Sequence, residues 1–399
     1  MQPRLLKDIN VAGKKVLVRV DYNVPLDAQQ NITDDFRIEA SLETIQYLLQ
    51  QDAIVILMSH LGRPKGNRVA EMSLAPAAKR LSEMLKQKVI FVDDCVGEIA
   101  EKAVAMLAKG SVALLENLRF HKEETSNDDT FSKQLAALAD VYINDAFGTA
   151  HRAHASNVGI TAHFSEKGIG FLLQKEIEFL VKTIETPERP FTVIMGGAKI
   201  SGKIDLIEKL SESADSILIG GGMAYTFLSA PPYNYNVGNS LVEEDRKETA
   251  TLVVEKFAKE GKRLALPSDS IVAKEISPEA ETRIFPIEAM KMGWMGLDIG
   301  PKTQKEFKSI LETSKTVLWN GPMGVFEVAP FANGTKFIAE YLVELTEKGV
   351  TTIIGGGDSA AALKAFGLEG RVSHTSTGGG ASLELLSGAK LPAFEALKG

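Results

Sequence analysis

Two groups of residues suited to holding phosphate lie in opposite halves of this 399-residue chain. The first half carries Arg37, His60, Arg63, Arg119 and Arg152, each read as following an apolar, strand-like run. The second half carries glycine-rich turns with lysine or aspartate, GGAKISGK (Gly196 to Lys203) and GGGDS (Gly355 to Ser359). Guanidinium forks match the oxygens of a small anion, whereas backbone N–H groups freed at glycine turns suit the phosphates of a nucleotide. Side by side they predict phosphoryl transfer between two separately held molecules.

Asp21 and Asn23 follow the first apolar run, and HLGRP (His60 to Pro64) presents an imidazole and a guanidinium on one rigid turn. Singly, any of these arginines suits a solvated surface; as a set at strand ends they predict an anion cleft. HRAH (His151 to His154) offers two imidazoles without a third ligand nearby, so anion holding or a structural role is expected there rather than zinc. The run from Gly197 to Lys203 fits GxxxxGK, but Ile204 stands where a P-loop needs Ser or Thr for Mg²⁺. An additional lysine, Lys199, precedes Lys203 by four residues, and helical spacing would set both ammonium groups on one face as a phosphate clamp. Asp358, at an expected helix start, suits either an N-cap or the Mg²⁺ of a nucleotide. TSTGGGAS (Thr375 to Ser382) reads as a further anion site or as a plain tight turn, and Glu327 as a ribose acceptor.

These groups need elements to position them. Apolar runs recur at KVLVRV (Lys15 to Val20), AIVILMS (Ala53 to Ser59), KVIFVD (Lys88 to Asp93), SVALLE (Ser111 to Glu116) and DVYIN (Asp140 to Asn144). The second half repeats the pattern at FTVIM (Phe191 to Met195), SILIG (Ser216 to Gly220), RLALP (Arg263 to Pro267), TVLWN (Thr316 to Asn320) and TTIIG (Thr351 to Gly355). Unbroken apolar runs fit strands buried on both faces of a parallel sheet. Helical periodicity fills the gaps, as in Ala75 to Lys86 and Glu244 to Lys259. The expectation is α/β, with two doubly wound parallel-sheet domains. ETPERP (Glu185 to Pro190) is the boundary, preceded by a connecting helix from about Phe171 to Thr183. A net charge of −7 argues against a general nucleic-acid or membrane-surface binder. A single cysteine, Cys95, excludes an internal disulfide and suits a reducing compartment, and no apolar run reaches the roughly 18 residues of a membrane span. The chain is therefore expected in the cytoplasm.

RVDYNVPL, HLGRP, LLENLRF, NDAFGTAHRAHAS, GGAKISGKI, GGGMAYTFL, LWNGPMGVFE, GGGDS and STGGGA together resemble, in order, the motifs of the phosphoglycerate kinase family. Tyr22, Gly202 and Ser359 stand where Phe, Asp and Thr are usual there, so a role for position 202 is in doubt. The resemblance implies two Rossmann-like lobes joined by a helical hinge. Residues 1–172 would bind phosphoglycerate, 173–189 form the interdomain helix and hinge, 190–374 bind nucleotide, and 375–399 return to the first domain. It implies Asp21, Asn23, Arg37, His60, Leu61, Gly62, Arg63, Arg119 and Arg152 as contacts for 3-phosphoglycerate or 1,3-bisphosphoglycerate. Gly197, Lys199, Lys203, Gly221, Gly296, Asn320, Glu327, Gly356, Gly357, Asp358 and Ser359 would contact ADP or ATP, with Asp358 on Mg²⁺. Arg37, Lys199 and the backbone of Gly357 and Gly380 would stabilise the phosphoryl group in flight. A monomer that closes on its ligands is implied as well. A dinucleotide-dependent dehydrogenase shares this architecture, but no GxGxxG follows a strand, and a non-enzymatic scaffold would have no need of these lysines and arginines.

Overall fold

Every apolar run singled out above becomes a strand in the computed structural model, which describes residues 2–398 (Ile184 by its backbone alone). The chain forms two units. One runs to Glu178 and takes in the chain again from Lys390, and the other spans Phe179–Ala389.

The first unit holds β1 (Lys15–Arg19), β2 (Ile54–Met58), β3 (Val89–Val92), β4 (Val112–Leu115), β5 (Val141–Asn144) and β6 (Lys167–Ile169), all parallel, in the order β3-β4-β2-β1-β5-β6. Val16, Val18, Val55, Leu57 and Ile143 pack with Ile45, Leu48 and Leu81 from the helices Leu42–Gln50 and Ala75–Leu85. Each such burial stabilises by roughly 1.5–3 kcal/mol. The chain leaves β1 towards β2 on one side and later returns to β5 on the other, so a crevice opens at the carboxyl ends of β1 and β5.

The second unit starts with β7 (Phe191–Met195), β8 (Ser216–Ile219) and β9 (Arg263–Ala265). It passes through β10 (Asp269–Ala273), β11 (Arg283–Pro286) and β12 (Met295–Ile299), and ends with β13 (Thr316–Asn320), β14 (Thr351–Gly355) and β15 (His374–Thr375). Its parallel sheet runs β15-β14-β13-β7-β8-β9, with the switch between β7 and β13. Trp319, Val317, Ile194 and Ile354 pack with Phe307, Leu311, Ile338 and Leu342 from the helices Pro301–Leu311 and Asn333–Glu347. A small antiparallel sheet, β11-β10-β12, was not expected; it carries a bulge between Ile271 and Val272.

Helix ends differ from expectation where the backbone turns. The helix from Ala75 stops at Leu85 because Lys86 adopts a left-handed conformation (φ 52°). The stretch from Glu244 begins as a 3₁₀ turn, Glu244–Arg246, before the α-helix Lys247–Lys259. The connecting helix runs Phe171–Glu185, and the chain passes from one unit to the other inside it. The tail joins the first unit only from Lys390, where the helix Pro392–Leu397 buries Ala393 and Leu397 and the Ala393 amide donates to the Ala150 carbonyl at 3.1 Å. The outer limits of the expected spans, residues 1 and 399, lie outside the described residues.

Candidate active site

At the carboxyl edge of the first sheet, arginines gather around one histidine. Arg19, the last residue of β1, is fully buried; its Nε donates to Ser156 Oγ at 2.9 Å, and another guanidinium nitrogen donates to the Val20 carbonyl. Ser156 connects it to the fully buried Glu124, donating from Oγ at 2.7 Å and from its amide at 2.9 Å. A cation and an anion are thus taken out of water with their polar atoms satisfied, which burial of charge requires. Arg19 Nη2 also lies 3.3 Å from His60 Nδ1. A guanidinium only donates, so Nδ1 accepts and the ring proton sits on Nε2. Burial, then the charges of Arg19, Arg119, Arg152 and Arg37, push the His60 pKa well below its ordinary value. A neutral imidazole in the field of four guanidiniums marks a strongly positive pocket.

Arg37 does not follow a strand, contrary to expectation. It sits on the helix Phe36–Ala40, and its Nη1 reaches back to Asp21 Oδ2 at 2.9 Å and the Asn23 carbonyl at 3.2 Å. Asn23 Oδ1 accepts from the Gly62 amide at 2.9 Å, and the Gly62 carbonyl accepts from Arg119 Nη1 at 2.7 Å. The Leu61 carbonyl accepts from Asn117 Nδ2 at 2.7 Å. Asp21, Asn23, Arg37, Gly62 and Arg119 are therefore held in one hydrogen-bonded shell, with His60 and Leu61 beside it. A cavity of about 330 Å³ adjoins this shell, lined by Arg63, Lys65, Gly66, Arg119, Thr125, Arg152 and His154. Its walls hold cations and no carboxylate. Burial, then the charges of Arg152 and Arg19, lowers Arg119 to about 10, and its buried Nε has no partner. Burial and the same arginines push His154 down to about 4.

His151 and His154 belong, among the described residues, to no group of metal-ligating composition. Among the described residues the one group of metal-ligating composition is Asp94, Cys95 and His121, where His121 Nε2 lies 2.7 Å from Asp94 Oδ1. Burial, then the Asp94 charge, raises the Cys95 thiol well above its usual range.

In the second unit the site forms where β7 and β13 diverge. The Gly196 amide donates to the Asn320 carbonyl at 2.9 Å, and the Gly197 amide to the Pro322 carbonyl at 2.8 Å. A Cβ on Gly196 would lie 2.1 Å from the Pro322 oxygen, and one on Gly321 (φ 96°) would lie 2.4 Å from the Gly196 oxygen. Backbone meets backbone here, and only glycine permits it. Lys203 Nζ donates into this seam, to the Gly196 carbonyl at 2.7 Å and the Asn320 carbonyl at 3.0 Å. Burial lowers it to about 8, partly offset by the charge of Asp358.

The two lysines do not share a helical face. The helix starts at Ile204, after Lys203, so Lys199 lies on the preceding loop and is exposed while Lys203 is inserted into the seam. The left-handed Gly197 (φ 98°) turns the chain before any helical spacing can operate. Gly221 closes the other side, its amide donating to the Met323 carbonyl at 3.1 Å.

Asp358 is not an N-cap. Gly356 holds that position, and Asp358 lies exposed in the first turn of the helix Gly357–Ala365. Beside it the buried Asn320 Nδ2 has no partner, 3.0 Å from where a Gly356 Cβ would be. Ser359 is buried and its Oγ accepts from the Gly321 amide at 2.7 Å, so it braces the seam. Gly380 opens the short helix Gly380–Leu386. Gly296 lies in β12, its amide on Ser240 Oγ at 2.9 Å and its face against the Tyr225 ring, while Glu327 is exposed beyond β13.

Sequence reasoning missed Arg19, Glu124 and Ser156, which brace the arginine cluster from beneath. The signal available was a lone charge at the end of an apolar strand, Arg19 in KVLVRV. Glu124 offered none, since KEETS reads as a solvated run.

A family model described as phosphoglycerate kinase matches residues 6–389. The chain is 54% identical over 392 residues to a chloroplastic phosphoglycerate kinase of Arabidopsis thaliana, covering 98% of this chain and 81% of the relative. It is also 54% identical to a cytosolic phosphoglycerate kinase of Triticum aestivum, covering 98% and 97%. The solved phosphoglycerate kinase of Coxiella burnetii superposes with a TM-score of 0.88 at 39% identity, covering 99% of this chain and 98% of that one. No helix among the described residues is long and apolar enough to cross a membrane. With motif order, sheet topology and nearly the whole length in agreement, this chain belongs to the phosphoglycerate kinase family of phosphotransferases.

Proposed function

We propose that the chain reversibly transfers the acyl phosphate of 1,3-bisphosphoglycerate to MgADP, giving 3-phosphoglycerate and MgATP, by one direct in-line step. The observation that carries this reading is the cavity of about 330 Å³ walled by Arg63, Lys65, Arg119 and Arg152 without a carboxylate. Asp21, Asn23, Arg37, His60, Leu61, Gly62, Arg63, Arg119 and Arg152 hold the phosphoglycerate. Gly197, Lys199, Lys203, Gly221, Gly296, Asn320, Glu327, Gly356, Gly357 and Asp358 hold the nucleotide, and Ser359 contributes by fixing Gly321.

Mg²⁺ enters with the nucleotide. The exposed Asp358 carboxylate suits a hard cation, and the unpartnered Asn320 Nδ2 beside the glycine turn suits a phosphate oxygen next to it. When bound, the ion neutralises phosphate charge. The rest of the chemistry belongs to the protein. An oxygen of the ADP terminal phosphate attacks phosphorus as the bond to the acyl oxygen breaks, and the electron pair leaves on a carboxylate. That leaving group is a stable anion and the attacking oxygen is already ionised, so neither general acid nor general base is needed. Arg37, Lys199 and the amides of Gly357 and Gly380 offset the charge of the phosphoryl group between the two oxygens.

Direct transfer demands that both ligands meet, so the proposal includes closure of the units when both are bound, with water excluded. Small-angle scattering should show a compact ternary state; one shape for free and doubly liganded protein would count against closure. A cytoplasmic monomer completes the reading, supported by the single, buried Cys95. ATP formation from 1,3-bisphosphoglycerate and MgADP, with other acyl phosphates as controls, tests the reaction. Absence of ATP formation overturns it.

A further inference from the structure

The loop that carries Lys199 is held from outside. Glu243, just ahead of the 3₁₀ turn Glu244–Arg246, places one carboxylate oxygen, Oε2, on two consecutive loop amides, Ile200 at 2.6 Å and Ser201 at 3.1 Å. The Glu243 amide donates to Thr226 Oγ1 at 3.1 Å, and Thr226 is buried on the helix Met223–Ser229. The same helix grips the other end of the loop, its Met223 amide donating to the Gly197 carbonyl at 3.1 Å. Lys199 is therefore spanned by two attachments to one buried helix. Gly202 contributes no side chain to the loop, so the carboxylate comes from some forty residues away in sequence.

Resting on the reaction proposed above, we infer that Glu243 is a positioning residue for Lys199, clamping its loop so that the ammonium group meets the phosphoryl group in one geometry. Charge-assisted bonds from paired amides are stronger than neutral ones, which suits a clamp on an exposed loop. Burial raises the Glu243 carboxyl, but its bonds to Ser201 and Ile200 and the charge of Lys199 outweigh that and hold it below its ordinary value. The carboxylate thus stays ionised at neutral pH.

The test combines turnover with amide exchange in the full chain. Glu243→Ala should lower kcat roughly 10- to 100-fold, the scale of a small misplacement of a reacting group, with KM for 3-phosphoglycerate unchanged. Glu243→Gln, whose single amide oxygen can accept both N–H groups, should recover most of the rate. In a Lys199→Ala background, Glu243→Ala should add no further loss. Hydrogen exchange at Ile200 and Ser201 should quicken in Glu243→Ala alone. Should that variant not fold, Glu243→Asp, which keeps the charge but withdraws it by one methylene, reads the same quantities. Unchanged kcat, or an equal loss in the Lys199→Ala background, would overturn the clamp. Absence of turnover in the wild-type chain would instead count against the reaction, and exchange at the two amides would still decide whether the clamp exists.

Discussion

On the proposed reaction, the two units meet phosphate with opposite materials. In the first, arginines crowd a space where burial and their charges lower the proton affinity of His60 and Arg119. Two buried carboxylates hold members of the set, Asp21 directly on Arg37 and Glu124 through Ser156 on Arg19. In the second, β7 and β13 bring backbones together at Gly196 and Gly321, and the half-buried Lys203 and the exposed Asp358 supply charge. A side-chain site stores repulsion that an anion relieves; a backbone site stores none and relies on close approach. Recognition by charge should therefore respond to salt and to single side chains, whereas recognition by shape should respond to glycine replacement and to proton loss at Lys203.

The largest effects come from the groups that serve the moving phosphate. Arg37→Ala and Lys199→Ala should each lower kcat by roughly 10²-fold or more, the scale of a lost transition-state donor. Unchanged steady-state turnover in both would show that neither cation acts there. Next, Arg119→Ala should raise the KM for phosphoglycerate roughly 10- to 100-fold, corresponding to about 1.5–3 kcal/mol for a hydrogen bond to a charged group. The KM for ADP should not move, and added salt should weaken phosphoglycerate more than ADP. Equal sensitivity of both ligands would erase the distinction between the sites.

A subtler effect follows from Lys203. Its pKa is about 8 without ligand, and bound phosphates must raise it by favouring the charged form. Nucleotide affinity should then fall as pH rises above about 8, with protons taken up on binding there; calorimetry in two buffers of different ionisation enthalpy reads this directly. Proton release would refute it. The smallest effect is expected at Gly202, where an added Cβ meets nothing within 4 Å: Gly202→Asp should change stability by less than about 0.5 kcal/mol. Gly321→Ala, forced into φ 96° against the Gly196 oxygen, should cost more than about 1 kcal/mol by denaturant titration.

Strands of the two parallel sheets were legible because helices on both faces leave them no polar side, as the wholly buried β2 and β13 illustrate. The antiparallel β10, β11 and β12 were not: RIFP is largely exposed, and DSIVA and MGLDI each carry a carboxylate, Asp269 and Asp298, that folding buries. Lys167–Ile169 and His374–Thr375 are too short to announce themselves. For the site, residue types and strand ends pointed to Arg63, Arg119 and Arg152, which line one cavity, but passed over Arg19. They could not show that Arg37 comes from a helix, that Lys203 turns inward while Lys199 does not, or that Ser359 is engaged with Gly321. Those outcomes depend on where a helix starts and which carbonyl lies within reach, and both are tertiary facts.

The glycine seam also limits what can be altered. At Gly196 and Gly321 the molecule has no β-carbon and no room for one, so substitution has nothing there to grip. If the proposed nucleotide site is right, retooling it for a different nucleoside would have to leave that seam untouched and begin from exposed positions such as Glu327.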